Sequence, residues 1–294
     1  MIMTDIRITF WGTSHFSVIV LDEMVKQGIL PALIVTAPAR PKGRGLALTP
    51  SDVKVWADKH GIHALEPAKL DHEFLRQLSV VSCQLFIVAS YGKIIPRTVL
   101  DMPEHGTLNV HPSLLPHLRG ASPLQTAILE DVPVGSVHET GVTIMQMDEE
   151  MDHGHIVAQE KISIPDWPPK ESDLEETLGM CGGKLLAKTI PRWVAGEIMP
   201  TPQDHARATY TQKITKQSGK IDLADNPAQT YRKIRAYNTW PRVYFLTERG
   251  GREIRVIVTD AEFHEGKLVI THVIPEGKRE MSYKEFLRGQ RESK

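Results

Sequence analysis

The amino-acid sequence predicts an α/β chain: a mostly parallel sheet with helices on both faces, followed by a small C-terminal β-barrel with a helix. Three observations predict it. Short apolar runs alternate with segments of helical spacing through the first two-thirds of the chain, the pattern of strands joined by crossover helices. The last third changes to short alternating strands around one helical stretch, which suits a small barrel. Between them, Pro191 to Ala208 is Pro-rich and irregular and reads as a linker. The expected domains are therefore residues 1–190 and 209–294, joined by 191–208.

Each element has its own signal. Ile6 to Trp11 alternates as a first strand, Gly12-Thr13-Ser14 reads as a turn, and Phe16 to Gln27 has helical apolar spacing ended by Gly28. Leu33 to Thr36 reads as a second strand, and the Pro- and Gly-rich stretch from Ala37 to Thr49 as a loop. Pro50 to His60 looks helical, with Ser51 or Thr49 available as its cap. Leu85–Ala89 and Thr107–Val110 are apolar runs short enough to be buried strands. Gly141 to Met147 is a further strand candidate, acidic Asp148 to Asp152 follows it, and Glu171 to Lys188 is helical. The C-terminal part contributes a helix near Ala228 to Tyr237 and strands at Val243–Leu246, Ile254–Val258 and Leu268–Val273.

Composition narrows the function classes. No apolar run approaches the roughly 20 residues that cross a bilayer, so no membrane association is expected. Met1 to Phe10 lacks the basic start, apolar stretch and cleavage site of a secretory leader, so a cytoplasmic location is expected. Two cysteines, Cys83 and Cys181, make neither a disulfide framework nor a Cys-rich zinc site. His153 and His155 alone are weak evidence for a ligand set, and no metal is expected. Net charge is −1, but residues 205–294 carry 18 Lys+Arg against 11 Asp+Glu, while the rest of the chain is acidic. That asymmetry fits either a polyanionic partner or an unevenly solvated surface. Gly12-Thr13-Ser14-His15 lacks the further glycines of a dinucleotide-binding turn.

The most informative stretch is Asn109-Val110-His111-Pro112-Ser113-Leu114-Leu115-Pro116. Residues i and i+2 at a strand end share a face. An amide donor beside an imidazole can stabilise an oxyanion and carry protons, the needs of acyl transfer. On spacing alone the pair fits a capped turn as well. Asp152 precedes a glycine turn from which a carboxylate can reach a neighbouring strand. On composition alone Asp148, Glu149, Glu150 and Asp152 equally form a solvated acidic turn.

Together the motifs say more. Asn109 to Pro116, Arg119-Gly120-Ala121-Ser122-Pro123-Leu124-Gln125, and Thr140-Gly141-Val142-Thr143-Ile144-Met145-Gln146-Met147-Asp148 closely resemble the methionyl-tRNA formyltransferase family. So do Ser90-Tyr91-Gly92 with Ile95-Pro96, Arg40 to Gly45 with Leu48-Thr49-Pro50, Tyr210 to Ile214, Gly219 to Asp222, and Arg235 to Pro241. The resemblance implies a Rossmann-like formyltransferase fold followed by an OB-like barrel. It implies catalytic roles for Asn109, His111 and Asp152. Ser113, Leu114, Leu115 and Pro116, with Ser90, Tyr91 and Gly92, would contact the folate. The implied donor is 10-formyltetrahydrofolate, a co-substrate used without a metal. The implied acceptor is the α-amino group of methionine on initiator methionyl-tRNA, contacted by Arg40, Lys42 and Arg44. A monomer is the expected state.

The sequence also departs from that family. Leu46 and Ala47 stand where many members carry lysines, so the loop is less basic. Asp131 to Thr140 is a few residues longer, and Met-Asp-His-Gly replaces the common Leu-Asp-x-Gly, leaving Asp148 as the alternative to Asp152. About fifty residues follow Trp240-Pro241, so a shortened barrel is expected. The competing enzyme reading is a sugar-nucleotide N-formyltransferase, with the same three residues and the same folate but no need for a basic C-terminal module. An RNA-binding protein without catalysis would need none of the three.

Overall fold

The computed structural model describes residues 6–42, 46–249 and 251–291. Its contacts divide the chain into two compact units that are each discontinuous in sequence: 1–121, 141–162 and 175–210, and 122–140, 163–174 and 211–294.

The first unit is built on parallel strands. β1 (Ile8–Gly12), β2 (Leu33–Val35), β5 (Ala64–Leu65), β6 (Leu85–Ala89) and β7 (Thr107–His111) run parallel. β8 (Ser136–Gln146) adds antiparallel to β7, and β9 (Ile156–Trp167) follows it, giving the sheet order β5-β2-β1-β6-β7-β8-β9. Every residue of β1, β6 and β7 is buried, as strands covered on both faces require. Trp11 anchors one face, edge-on to Phe74 at 5.7 Å and to Tyr91 at 5.2 Å. Leu33, Val35, Leu78, Phe86, Val88 and Val99 close around it, each worth about 1.5–3 kcal/mol when fully buried.

The helices follow local chemistry. α1 (His15–Lys26) connects β1 to β2. In α2 (Asp52–His60), the Ser51 hydroxyl accepts from the Lys54 N–H, and Gly61 ends the helix at φ +67, a left-handed cap that glycine adopts without strain. α3 (His72–Val80) and α4 (Arg97–Leu100) flank β6 in sequence. Among the described residues no helix is long and apolar enough to cross a membrane.

The chain order places a switch point between β1 and β6. It moves outward from β1 through β2 to β5, then returns across β1 to β6 and β7. Crevices at the carboxyl ends of strands on either side of such a reversal are where α/β folds bind ligands. Asn109 and His111 end β7, the strand beyond β6, with Asn109 level with Val88 of β6.

Several elements differ from expectation. The stretch expected as a loop forms a hairpin, β3 (Arg40–Lys42) antiparallel to β4 (Ala47–Thr49). It buries little, so no apolar period marks it. β9 carries no strand signal in the sequence, because its alternation is broken by Gln159, Glu160 and Lys161. α6 (Glu171–Val194) continues through Pro191 to Val194, past the expected start of the linker at 191.

The second unit carries a four-stranded antiparallel sheet, β10 (Val243–Arg249), β11 (Arg252–His264), β12 (Lys267–Pro275) and β13 (Met281–Ser282), in that order. α5 (Pro123–Leu129), α7 (Pro227–Ala236) and α8 (Tyr283–Arg291) belong to the same unit. This small antiparallel sheet module stands where the sequence places its C-terminal β-domain.

Candidate active site

Asn109, His111 and Asp152 meet at the end of β7. Asn109 and His111 are buried and Asp152 nearly so. The Asn109 Nδ2 donates to Asp152 Oδ1 at 3.5 Å, and the same oxygen lies 3.6 Å from His111 Nδ1. The other carboxylate oxygen accepts from the Gly120 N–H at 2.7 Å. His111 Nε2 sits 3.0 Å from the Leu118 carbonyl. A carbonyl oxygen only accepts, so Nε2 carries the hydrogen and Nδ1 faces Asp152.

The backbone that carries Asp152 is special. Asp152 has φ +52, a left-handed conformation that Asp tolerates better than most residues. Two residues on, a Cβ at Gly154 would lie 1.9 Å from the Gln146 carbonyl oxygen. Only glycine lets the turn close against the end of β8. Asp148, the alternative candidate, holds His153 Nδ1 at 2.6 Å instead.

The segment from Ser113 to Pro116 is held rigidly. Thr143 donates to the Ser113 carbonyl at 2.6 Å and accepts from the Leu115 N–H at 3.1 Å. Gln159 donates to the Leu115 carbonyl at 2.8 Å and to Thr143 at 2.9 Å. The Ser113 hydroxyl donates to the His117 carbonyl, and the Leu115 side chain is buried. Partly exposed Leu114 and Pro116 therefore form its open face.

The chain matches the family model described as formyl transferase over residues 6–190, and the formyl transferase C-terminal domain over residues 213–265. A methionyl-tRNA formyltransferase from Geobacillus sp. (strain WCH70) is 37% identical, covering 97% of this chain and 94% of that relative. The chain belongs to the methionyl-tRNA formyltransferase family. Two solved structures share the enzyme's fold. The Clostridium thermocellum methionyl-tRNA formyltransferase superposes with a TM-score of 0.60 at 16% identity, covering 92% of this chain and 99% of that one. HypX from Aquifex aeolicus in complex with tetrahydrofolic acid gives 0.63 at 17% identity, over 96% of this chain and 46% of that one.

The other candidate residues of the enzyme fall in different surroundings. Ser90, Tyr91 and Gly92 follow β6. The Thr13 N–H donates to the Ser90 carbonyl and the Thr13 hydroxyl to the Tyr91 carbonyl, both at 3.1 Å. The Tyr91 ring packs into the core against Trp11, and burial pushes its phenol up to about 12. Arg40 is exposed on β3, and the backbone of Lys42 ends that strand, while Arg44 lies outside the described residues. Lys93 carries no signal in the sequence. Partial burial and the nearby Arg40 charge hold its ammonium below the usual range, and it donates to the Pro67 carbonyl at 2.6 Å. Thr143 and Arg119 lie inside motifs that carry the family resemblance, but Gln159 and Gln203 carry no local signal. Among the described residues no cluster of three or more His, Cys, Asp or Glu could hold a metal.

Proposed function

We propose that this enzyme transfers the formyl group of 10-formyltetrahydrofolate to the α-amino group of methionine on initiator methionyl-tRNA, with Asn109, His111 and Asp152 at the reacting atoms. The observation that carries the reading is the meeting of an amide, an imidazole and a carboxylate at the carboxyl end of β7 in a chain from this family. The free amine attacks the formyl carbon, a C–N bond forms, and the bond from that carbon to N10 of the folate breaks. Asn109 keeps one N–H for the oxyanion while the other faces Asp152. His111 exchanges the proton through Nδ1, because Nε2 is committed to Leu118. The amine loses one proton and the folate nitrogen gains one, so the site ends as it began. Asp152 stabilises the imidazolium formed in between.

The folate fits what surrounds the centre. Leu114 and Pro116 offer a rigid apolar wall for a flat heteroaromatic ring, and the family resemblance adds Ser90, Tyr91 and Gly92 as folate contacts. The acceptor reading draws on the adjacent cations Arg40 and Lys93 and on the basic C-terminal module, both suited to phosphates. The family resemblance adds Lys42 and Arg44 as tRNA contacts. The enzyme would act in the cytoplasm as a monomer.

The test is a formylation assay with 10-formyltetrahydrofolate and three acceptors: charged initiator Met-tRNA, charged elongator Met-tRNA and an amino-sugar nucleotide. Transfer to initiator Met-tRNA, weakening steeply with salt, is expected. Transfer to the sugar nucleotide instead would keep the chemistry and overturn the acceptor.

A further inference from the structure

We infer that Gln203 is a positioning residue for formyl transfer, oriented by the buried Arg119 and acting through the backbone of Asp152; the inference rests on the catalytic assignment of Asp152. Arg119 is 2% exposed. Its Nε and Nη2 donate to Gln203 Oε1 at 3.1 and 2.7 Å, Nη2 also reaches His205 Nδ1 at 2.9 Å, and Nη1 reaches the Tyr210 hydroxyl at 3.4 Å. Among the described residues the guanidinium forms no ion pair. A buried cation held only by neutral acceptors is a poor device for stability. It is a good device for orientation, because a guanidinium only donates.

That one-sidedness sets the amide of Gln203. Its oxygen must face Arg119, so its NH2 points the other way with both hydrogens. They go to the carbonyls of Asp152 at 2.9 Å and Gly154 at 2.7 Å. These carbonyls bracket the turn in which Asp152 is held at positive φ, a conformation that non-glycine residues keep only when their surroundings impose it. Arg119 and Gly120 thus grip Asp152 at both ends. The Gly120 N–H holds the carboxylate directly, and Arg119 holds the backbone through Gln203. Gln203 and His205, which lie in the 191–208 stretch that reads as a linker in the sequence, form part of the frame of the reacting centre. Thr209 adds to it, accepting from the Leu118 N–H at 2.8 Å, next to the carbonyl that orients His111.

Gln203→Glu separates the two halves of the device. A carboxylate still accepts from Arg119, so the protein should fold. It donates nothing to the Asp152 and Gly154 carbonyls, so the turn relaxes. With the purified full chain, kcat for initiator Met-tRNA is expected to fall about tenfold or more, the range that small misplacements of reacting groups produce. KM for both substrates and Tm should stay near wild type. In an Asp152→Asn background the same change should cost almost nothing further, because the group it positions is gone. Arg119→Lys keeps the charge but loses the fork, and should give the same loss confined to kcat. A Gln203→Glu enzyme with wild-type kcat beside an inactive Asp152→Asn enzyme would overturn this inference and leave the catalytic reading standing. So would losses that multiply in full in the double variant, or losses seen only in Tm. Wild-type turnover in Asp152→Asn would instead remove the catalytic reading itself.

Discussion

Asp152 and Glu171 are two sheltered carboxylates held in opposite ways. Glu171 opens α6 in the second unit, and each of its oxygens accepts a hydrogen bond. Thr239 donates at 2.6 Å and Gln125 at 3.0 Å. Burial still pushes its carboxyl up from the usual range, with the Thr239 bond pulling partly against it. Asp152, in the first unit, has one short bond, from Gly120, and its other oxygen lies 3.5 and 3.6 Å from Asn109 and His111. Short, complete hydrogen bonding holds a fold. An oxygen left at long range from two other polar groups leaves room for atoms that arrive only during reaction. The contrast sets a structural polar cluster against the proposed reacting one.

Substitutions can break or sharpen that contrast. The largest effect is expected at the reacting cluster. Asn109→Ala should lose about 10²–10³ in turnover, the cost of one oxyanion donor, with its melting temperature barely moved. Near-wild-type turnover in the purified variant would end the contrast. Gly154→Ala comes next. Its Cβ would meet the Gln146 carbonyl oxygen, so the Asp152 turn must shift, at about 3 kcal/mol of stability and with a drop in kcat seen in the same preparation.

At the structural cluster the signs differ. Thr239→Val should cost about 1.5 kcal/mol at neutral pH with kcat unchanged in the formylation assay. The deficit should shrink as pH falls and the carboxyl takes up its proton. Glu171→Gln should have the smallest effect. The folded-state pKa lies above the ordinary 4.5, so the stability that Glu171 contributes is present at low pH and lost as pH rises through the raised value. The variant avoids that loss. Its melting temperature relative to wild type should therefore climb as pH rises from about 4.5. A flat difference across thermal melts at several pH values would show that Glu171 is not penalised by burial.

Much of this was legible in the chain. β6 announces itself as an unbroken apolar run, and Ser51 reads as a cap before its helix. Asn109 and His111 were visible as a pair because a strand places i and i+2 on one face. The losses have physical reasons. α5 spans seven residues, too few for helical spacing to declare itself. The β3–β4 hairpin lies at the surface, where burial imposes no pattern. Gln203 is a single amide in a Pro-rich stretch, and nothing in its neighbours marks it.

The sequence by itself determined the alternation of strands and helices, the family, and the three polar residues of the candidate centre. Those follow from periodicity and from motifs only a few residues long, which local sterics and hydrogen bonding enforce wherever the chain goes. Only the tertiary structure decided which acidic residue of the 148–152 turn faces His111, that Nδ1 is the nitrogen facing Asp152, and that Arg119 and Gln203 frame Asp152. Those pairings span 43 residues from Asn109 to Asp152 and 84 from Arg119 to Gln203. Contacts over such distances exist only once the sheet has brought its carboxyl ends together, and no local signal encodes them.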